Sequence, residues 1–201
     1  MAIETEVKFR MEKAAWTAIK ADYERDHTVG HIEEQTNQYY HDTKGRINER
    51  RIGLRLRRME GKSVLTIKGD SPDGIKREEI EETYPAATDS LPPDSPALQA
   101  LLARVGIAYD DIVPQVMMTT RRTVFHLQEA GFAAEVCFDD VSILDTCREH
   151  KLFEIEFELV SGDESRLFEI VDAFHSRYGE QVERSGVSKL AYALNLVSCR
   201  E

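Results

Sequence analysis

Glu4, Glu6 and Lys8 stand two residues apart in the opening stretch AIETEVKFR, so an extended chain puts all three on one face. Even spacing recurs along the chain: Arg55 and Arg57 in LRLRR, Thr66 and Lys68 in LTIKG, and Arg77, Glu79 and Glu81 in REEIEE. It returns as Glu135 and Asp139 in AEVCFDD, and as Glu154, Glu156 and Glu158 in FEIEFEL. Clustered carboxylates are hard oxygen donors, suited to Mg2+ or Mn2+ rather than zinc. Clustered Lys and Arg suit a polyanion with phosphate geometry, Arg through bidentate contact. Gathered in one cavity, the two sets match a metal-bound polyphosphate. At an effective dielectric of about 20, unit charges ~4 Å apart interact by about 4 kcal/mol, so such carboxylates repel one another until cations enter.

A strand with one apolar and one charged face is ordinarily a half-buried antiparallel strand whose charges meet water. Two features point elsewhere. Solvent-facing strands mix in Thr, Ser, Gln and Lys, whereas these faces carry acids or arginines in alternate positions. The pattern also covers most of the strands, which makes one whole face of the sheet ionic. If the sheet curls into a barrel, either face can end up inside. A charged interior cannot be dry, because isolated buried charges cost too much. It has to be a wet channel with charges of both signs.

The elements that must position these rows are read from alternation. Strands are expected at Ala2–Arg10, Asn37–Thr43, Gly53–Met59, Val64–Gly69, Lys76–Tyr84, Met117–Leu127, Phe132–Val141 and Lys151–Val160. Ile3, Thr5, Val7 and Phe9 make the less polar face of the first. Leu54 with Leu56, and Phe153 with Ile155, Phe157 and Leu159, form apolar faces opposite the charges. Helices are expected at Lys13–Tyr23, through Trp16, Ile19 and Tyr23, and after a Ser95 cap with Pro96 first and Gly106 as the stop. A third spans Ser161–Gly179, with Leu167, Ile170, Val171, Phe174 and Tyr178 in one stripe that is also a candidate homodimer surface. A fourth starts at Ser188 and runs through Leu190, Ala193, Leu194 and Val197. About eight strands and four helices, with no fixed-period repeat and no dividing linker, argue for an α+β fold. The expectation is an eight-stranded antiparallel β-barrel with a charged interior and flanking helices, as a single domain over residues 1–201.

Bulk composition narrows the class. At 201 residues, 41% hydrophobic and 31% charged, the chain suits an ordinary folded domain. No apolar run approaches the ~20 residues that span a bilayer, so no membrane role is expected. Glu4 and Glu6 stand where a signal peptide needs a basic start and an apolar core. Cys137, Cys147 and Cys199 cannot pair completely and lack metal-ligand spacing, which fits a cytoplasmic location. A net charge of −11 disfavours nucleic acid and anionic membranes as partners, leaving a small-molecule ligand.

The motifs, in order, resemble the CYTH superfamily, the triphosphate tunnel metalloenzymes. Glu4-Thr5-Glu6-Val7-Lys8 is similar to the signature Glu-x-Glu-x-Lys, and YYHDT, with Asp42 and Thr43, to a Tyr-x-Asp-Thr strand. The rows at Arg55, Lys68, Arg77, Glu135 and Glu154 follow in family order, and Ser188-Lys189 closes the set. The resemblance implies an eight-stranded β-tunnel. It implies that Glu4, Glu6, Asp139, Glu154 and Glu156 gather one or two divalent metals, Mg2+ or Mn2+. Lys8, Arg55, Arg57, Lys68, Arg77 and Arg121 would hold a triphosphate, with Glu79 and Glu81 beside them. Lys189 would stand near the nucleophilic end and act in catalysis with Glu4 and Glu6. On the sixth strand the family often has Lys-x-Arg, where this chain offers Thr119 and Arg121.

The resemblance implies a metal-dependent triphosphatase, with inorganic triphosphate the preferred substrate because FEIEFELVSGD is most similar to that branch. Two alternatives stay open: a class IV adenylyl cyclase, for which no base-reading residues stand out, and a polyphosphate-binding module without turnover. GKS at Gly61–Ser63 lacks the earlier Gly of a phosphate loop and reads as a hairpin turn. His27 and His31 are four apart, but Gly30 intervenes and no third ligand is evident. Trp16 and Ile19 read as core packing.

Overall fold

The computed structural model describes residues 2–85, 88–144 and 149–198, apart from the side chains of Ala2, Val197 and Ser198. Cys147, Cys199 and the expected core position of Val197 therefore lie outside the description. The strands are β1 (Ala2–Met11), β2 (His31–Asp42), β3 (Gly53–Met59), β4 (Lys62–Lys68), β5 (Lys76–Tyr84), β6 (Ile112–Glu129), β7 (Phe132–Leu144), β8 (Glu149–Ser161) and β9 (Glu183–Ser185). The helices are α1 (Lys13–Asp26), α2 (Arg46–Glu49), α3 (Pro96–Val105), α4 (Glu164–Tyr178) and α5 (Lys189–Ser198). Single 3-10 turns follow at Tyr109–Asp111 and Gly179–Gln181.

All pairings are antiparallel, in the order β5-β4-β3-β2-β6-β7-β8-β1, and β1 returns to β5 to close an eight-stranded barrel. That closure uses the first residues of β1, with Ala2 opposite Glu79 and Thr5 opposite Lys76. Farther along, the same edge of β1 takes β9, with Lys8 opposite Ser185.

Apolar residues cover the barrel from outside. Val7, Phe9, Phe125, Val136, Phe138, Ile155 and Phe157 lie buried under α1 and α4. The α4 stripe of Leu167, Val171, Phe174 and Tyr178 packs into this core, as do Ile19 and the partly buried Trp16. A second outer face, with Leu54, Leu56, Leu65 and Ile67, packs against Ile47 of α2 and Leu98, Leu101, Leu102 and Val105 of α3. Ser95 caps α3 by accepting a bond from the Leu98 amide at 3.0 Å, and Gly106, at φ +75°, ends it. A third cluster lies inside: Tyr39, Met118, Val141, Ile143 and Leu152 share the parity of the charged rows and meet Leu190, Ala193 and Leu194 of α5.

Several expectations are corrected. Ile3 is 73% exposed. The Thr5 hydroxyl bonds to Glu164, the first residue of α4, so Ile3 lies beyond that helix's cover. Strand β2 starts six residues before Asn37, because its polar opening HIEEQT pairs with β6 from His31 opposite Val124 onward. The four-residue α2 and three-residue β9 are too short to show a period. Gly61, at φ +73°, sits in the β3–β4 hairpin turn as expected. Among the described residues, no helix is long and apolar enough to cross a membrane.

Candidate active site and metal centre

The charged rows point inward and line a cavity of about 660 Å³. Of the residues expected at the site, Glu4, Glu6, Lys8, Arg55, Arg57, Lys68, Arg77, Glu79, Glu81, Asp139, Glu156 and Lys189 all border it. Glu154 lies fully buried next to Glu156 in the same row and reaches the cavity through Lys189.

One end of the bore is an acid cluster. Antiparallel register sets Asp139 of β7 opposite Glu154 of β8, with Glu156 opposite Cys137 and Lys8. Asp139, Glu154 and Glu156 each offer an oxygen, all within 4.8 Å of one another. The Lys189 ammonium stands among them, 2.6 Å from Glu154 and Glu156 and 3.0 Å from Asp139. Arg122 adds two bonds to Asp139, at 2.8 and 2.7 Å, and one to Glu156 at 2.5 Å. Arg10 holds the far oxygen of Glu154 at 2.8 Å.

Burial works against every charge here, and the cations decide which carboxylates stay ionised. Glu156 is held well below the usual carboxylate range, against burial, by Lys189, Arg122 and Lys8. Asp139 is likewise lowered, against burial, by Arg122 and Lys189. Glu154 is raised, because burial and Glu156 outweigh Lys189 and Arg10. Lys189 is held firmly protonated, despite burial, by Glu154, Glu156 and Asp139. Its approach depends on two glycines: a Cβ on Gly74, at φ +70°, would lie 2.7 Å from the Cα of Gly186, three residues before Lys189.

The rest of the bore mixes charges of both signs. Lys68 bonds both oxygens of Glu4 at 2.8 Å and lies 3.2 Å from Glu79. Arg77 pairs with Glu4 and Glu6, and Lys8 with Glu6 at 2.5 Å. Glu4 and Glu6, expected among the metal ligands, are thus engaged by Lys and Arg in the same bore. Arg55 donates to Thr66 at 3.0 Å, and its buried Nε has no hydrogen-bond partner among the described residues. Arg57 donates to Asn37 at 3.0 Å, and among the described residues no carboxylate lies within ion-pair distance of it. Burial, with Arg55 and Arg122 nearby, pulls the Arg57 guanidinium down to about 10. A half-buried cation beside two others, with no carboxylate at ion-pair distance among the described residues, is a seat for an anion.

Arg121 is a correction. Its side chain is 63% exposed and meets Glu34 on the outer surface at 3.1 Å. Met118, Thr120, Arg122 and Val124 line the bore instead, so the inward basic residue is Arg122 and the threonine two before it is Thr120, not Thr119. The paired letters of TTRR leave the parity open, whereas Phe125, buried in the outer core, settles it. Asp42 does not reach the bore. It accepts backbone bonds from Lys44, Arg46 and Ile47 at 3.0, 3.2 and 2.7 Å and so holds the turn into α2. Glu33 and Gln35 of β2 also line the cavity, unforeseen because the strand was expected to begin at Asn37, which lines it too. His27 stacks on Tyr23 and His31 bonds Glu33 at 3.1 Å.

Among curated proteins, none matches this sequence significantly. Solved structures share the fold. The Hippeastrum protein HpAC1, an adenylyl cyclase candidate described as having a dominant triphosphatase activity, superposes with a TM-score of 0.73 at 20% identity. That match covers 96% of this chain and 95% of the other. A Bacillus halodurans protein described as an adenylate cyclase candidate follows at TM-score 0.63 and 19% identity, over 88% and 92% of the chains. The Mimivirus capping enzyme triphosphatase matches at TM-score 0.53 and 13% identity, over 86% and 87%. The family model of the CYTH domain matches residues 2–191, and the chain belongs to the CYTH domain family.

Proposed function

We propose that this protein is a metal-dependent triphosphatase that hydrolyses the terminal phosphoanhydride of inorganic triphosphate. One observation carries the reading: in a single cavity the guanidinium of Arg57, with no carboxylate at ion-pair distance among the described residues, lines a bore that also holds the Asp139–Glu154–Glu156 cluster. An anion alone would be served by the cations. A metal alone would be served by the acids. Both together fit a polyphosphate that arrives with a divalent ion.

The cluster fits such an ion chemically, since three close carboxylates supply hard oxygen donors and Lys189 already satisfies them with positive charge. Asp139, Glu154 and Glu156 would hold Mg2+ or Mn2+, which when bound neutralises charge on phosphoanhydride oxygens. Arg55 and Arg57 fix the phosphate chain from the cavity wall. Lys189, held protonated, donates to the terminal phosphate rather than accepting a proton. Arg122 keeps Asp139 and Glu156 ionised and in place.

The test is phosphate release from inorganic triphosphate, thiamine triphosphate and ATP, each with Mg2+ and with Mn2+. Inorganic triphosphate is expected to turn over fastest, and Arg57→Gln to raise KM about 10- to 100-fold, as losing a charge-assisted contact of 1.5–3 kcal/mol implies. Absence of turnover with every triphosphate removes the proposal. Cyclic AMP formed from ATP would replace it with the cyclase reading.

A further inference from the structure

Arg10 lies two residues beyond Lys8 on β1, opposite Glu154 on one neighbour and Glu183 on the other. Its guanidinium makes three contacts at once. Nε donates to Oε2 of Glu154 at 2.8 Å, and Nη2 donates to the Val187 carbonyl at 2.6 Å. The plane lies over the Tyr192 ring, 4.7 Å from its centroid. The other oxygen of Glu154, Oε1, accepts from Lys189 at 2.6 Å. Arg10 therefore grips both the carboxylate that Lys189 pairs with and the chain just before Lys189. Val187 is 42% exposed, and its neighbour Gly186 has no side chain to anchor the segment.

We propose that Arg10 is a positioning residue that fixes where the Lys189 ammonium stands in the bore. This rests on the triphosphatase reading for its catalytic consequence. Arg10 does not border the bore cavity, so it acts through Glu154 and residues 187–192. The role needs a planar fork: one edge serves two acceptors while the face meets an aromatic ring. A lysine offers a point charge and cannot make the three contacts together. Arg10 also faces an outer cleft of about 550 Å³, bordered by Lys151, Phe153, Val182 and Tyr192. A small cation can enter there from solvent.

The test compares Arg10→Ala and Arg10→Lys with the wild type under saturating Mg2+. Both variants are expected to lose roughly 10- to 100-fold in kcat, the scale of a misplaced catalytic group, with KM changed less than about threefold. Millimolar guanidinium is expected to restore Arg10→Ala several-fold and to leave Arg10→Lys and Lys189→Ala unimproved. A merely structural role would give no such selective rescue. Hydrogen exchange without substrate is the second readout: amides of residues 187–192 should exchange faster in Arg10→Ala, while β6–β8 stay protected. Unchanged kcat, absent rescue or unchanged exchange overturns the proposal. If the wild type hydrolyses no triphosphate, the functional reading falls, and the exchange experiment still judges Arg10.

Discussion

The Arg122 guanidinium donates from Nε and Nη2 to the two oxygens of Asp139, at 2.8 and 2.7 Å, across the β6–β7 pairing inside the barrel. Arg121, the next residue back, points out to Glu34. The neighbours thus have opposite environments, and their substitution should separate them. Arg122→Ala leaves Asp139 and Glu156 without their guanidinium and is expected to cost about 3–5 kcal/mol, as does breaking other buried pairs. Arg121→Ala is expected to change stability by less than about 0.5 kcal/mol. Urea denaturation measures both, and equal losses would reverse the assigned facing of β6.

Lys189 supplies the cation at the centre of the acid cluster. Lys189→Ala is expected to lower the metal-free Tm by on the order of 10 °C, since three carboxylates are left repelling one another. Added Mn2+ should recover most of that loss and stabilise the variant more than it does the wild type. Differential scanning fluorimetry across a Mn2+ series, without substrate, reads this directly. A variant indifferent to Mn2+ would mean that the cluster does not hold the ion.

Asp42 ends the YYHDT stretch but for one residue, and its carboxylate accepts three backbone amides at the entry to α2. Against burial, the amides of Ile47, Arg46 and Lys44 hold it below the usual range. Asp42→Ala is expected to destabilise by about 2–3 kcal/mol through loss of charge-assisted bonds and the turn. Because Asp42 lies away from the bore, kcat and KM of the remaining folded enzyme should stay within about twofold. A large kcat loss at unchanged stability would contradict a purely structural role.

Two bore carboxyls titrate near neutrality. Burial, helped by Glu4 and Glu81 and opposed by Lys68, pushes Glu79 up to about 7. Burial and Glu4 do the same to Glu158, also about 7. Between the usual Glu value of about 4.3 and 7, the folded chain binds more protons than the unfolded one, so stability falls as pH rises through that window and levels off above it. The lowered groups Asp139 and Glu156 lose their contribution only below their ordinary values, outside this window. The metal-free Tm is therefore expected to decline from pH 5 to pH 7.5, and Glu79→Gln with Glu158→Gln to flatten the decline. A profile unchanged by both substitutions would assign the slope elsewhere.

Much of the molecule was legible in local alternation. Gly53–Met59 and Lys76–Tyr84 match the expected strands, Ser95 and Gly106 bracket α3, and the eight long strands form the barrel. Period two is a property of the extended backbone and survives in any sheet, so it announces which residues share a face. It does not say which face is inside. The bore is ionic only because the four-residue pairing of β1 with β5 closes the sheet, and that contact joins residues more than seventy apart. Closure also decided partners that spacing could not: Arg122 rather than Arg121 against Asp139, and Lys189 among three acids from two strands. It likewise set Glu4 and Glu6 against Lys68 and Arg77. The composition of each row was written in the chain; which rows meet depends on register and closure, which are non-local and set by the packed whole.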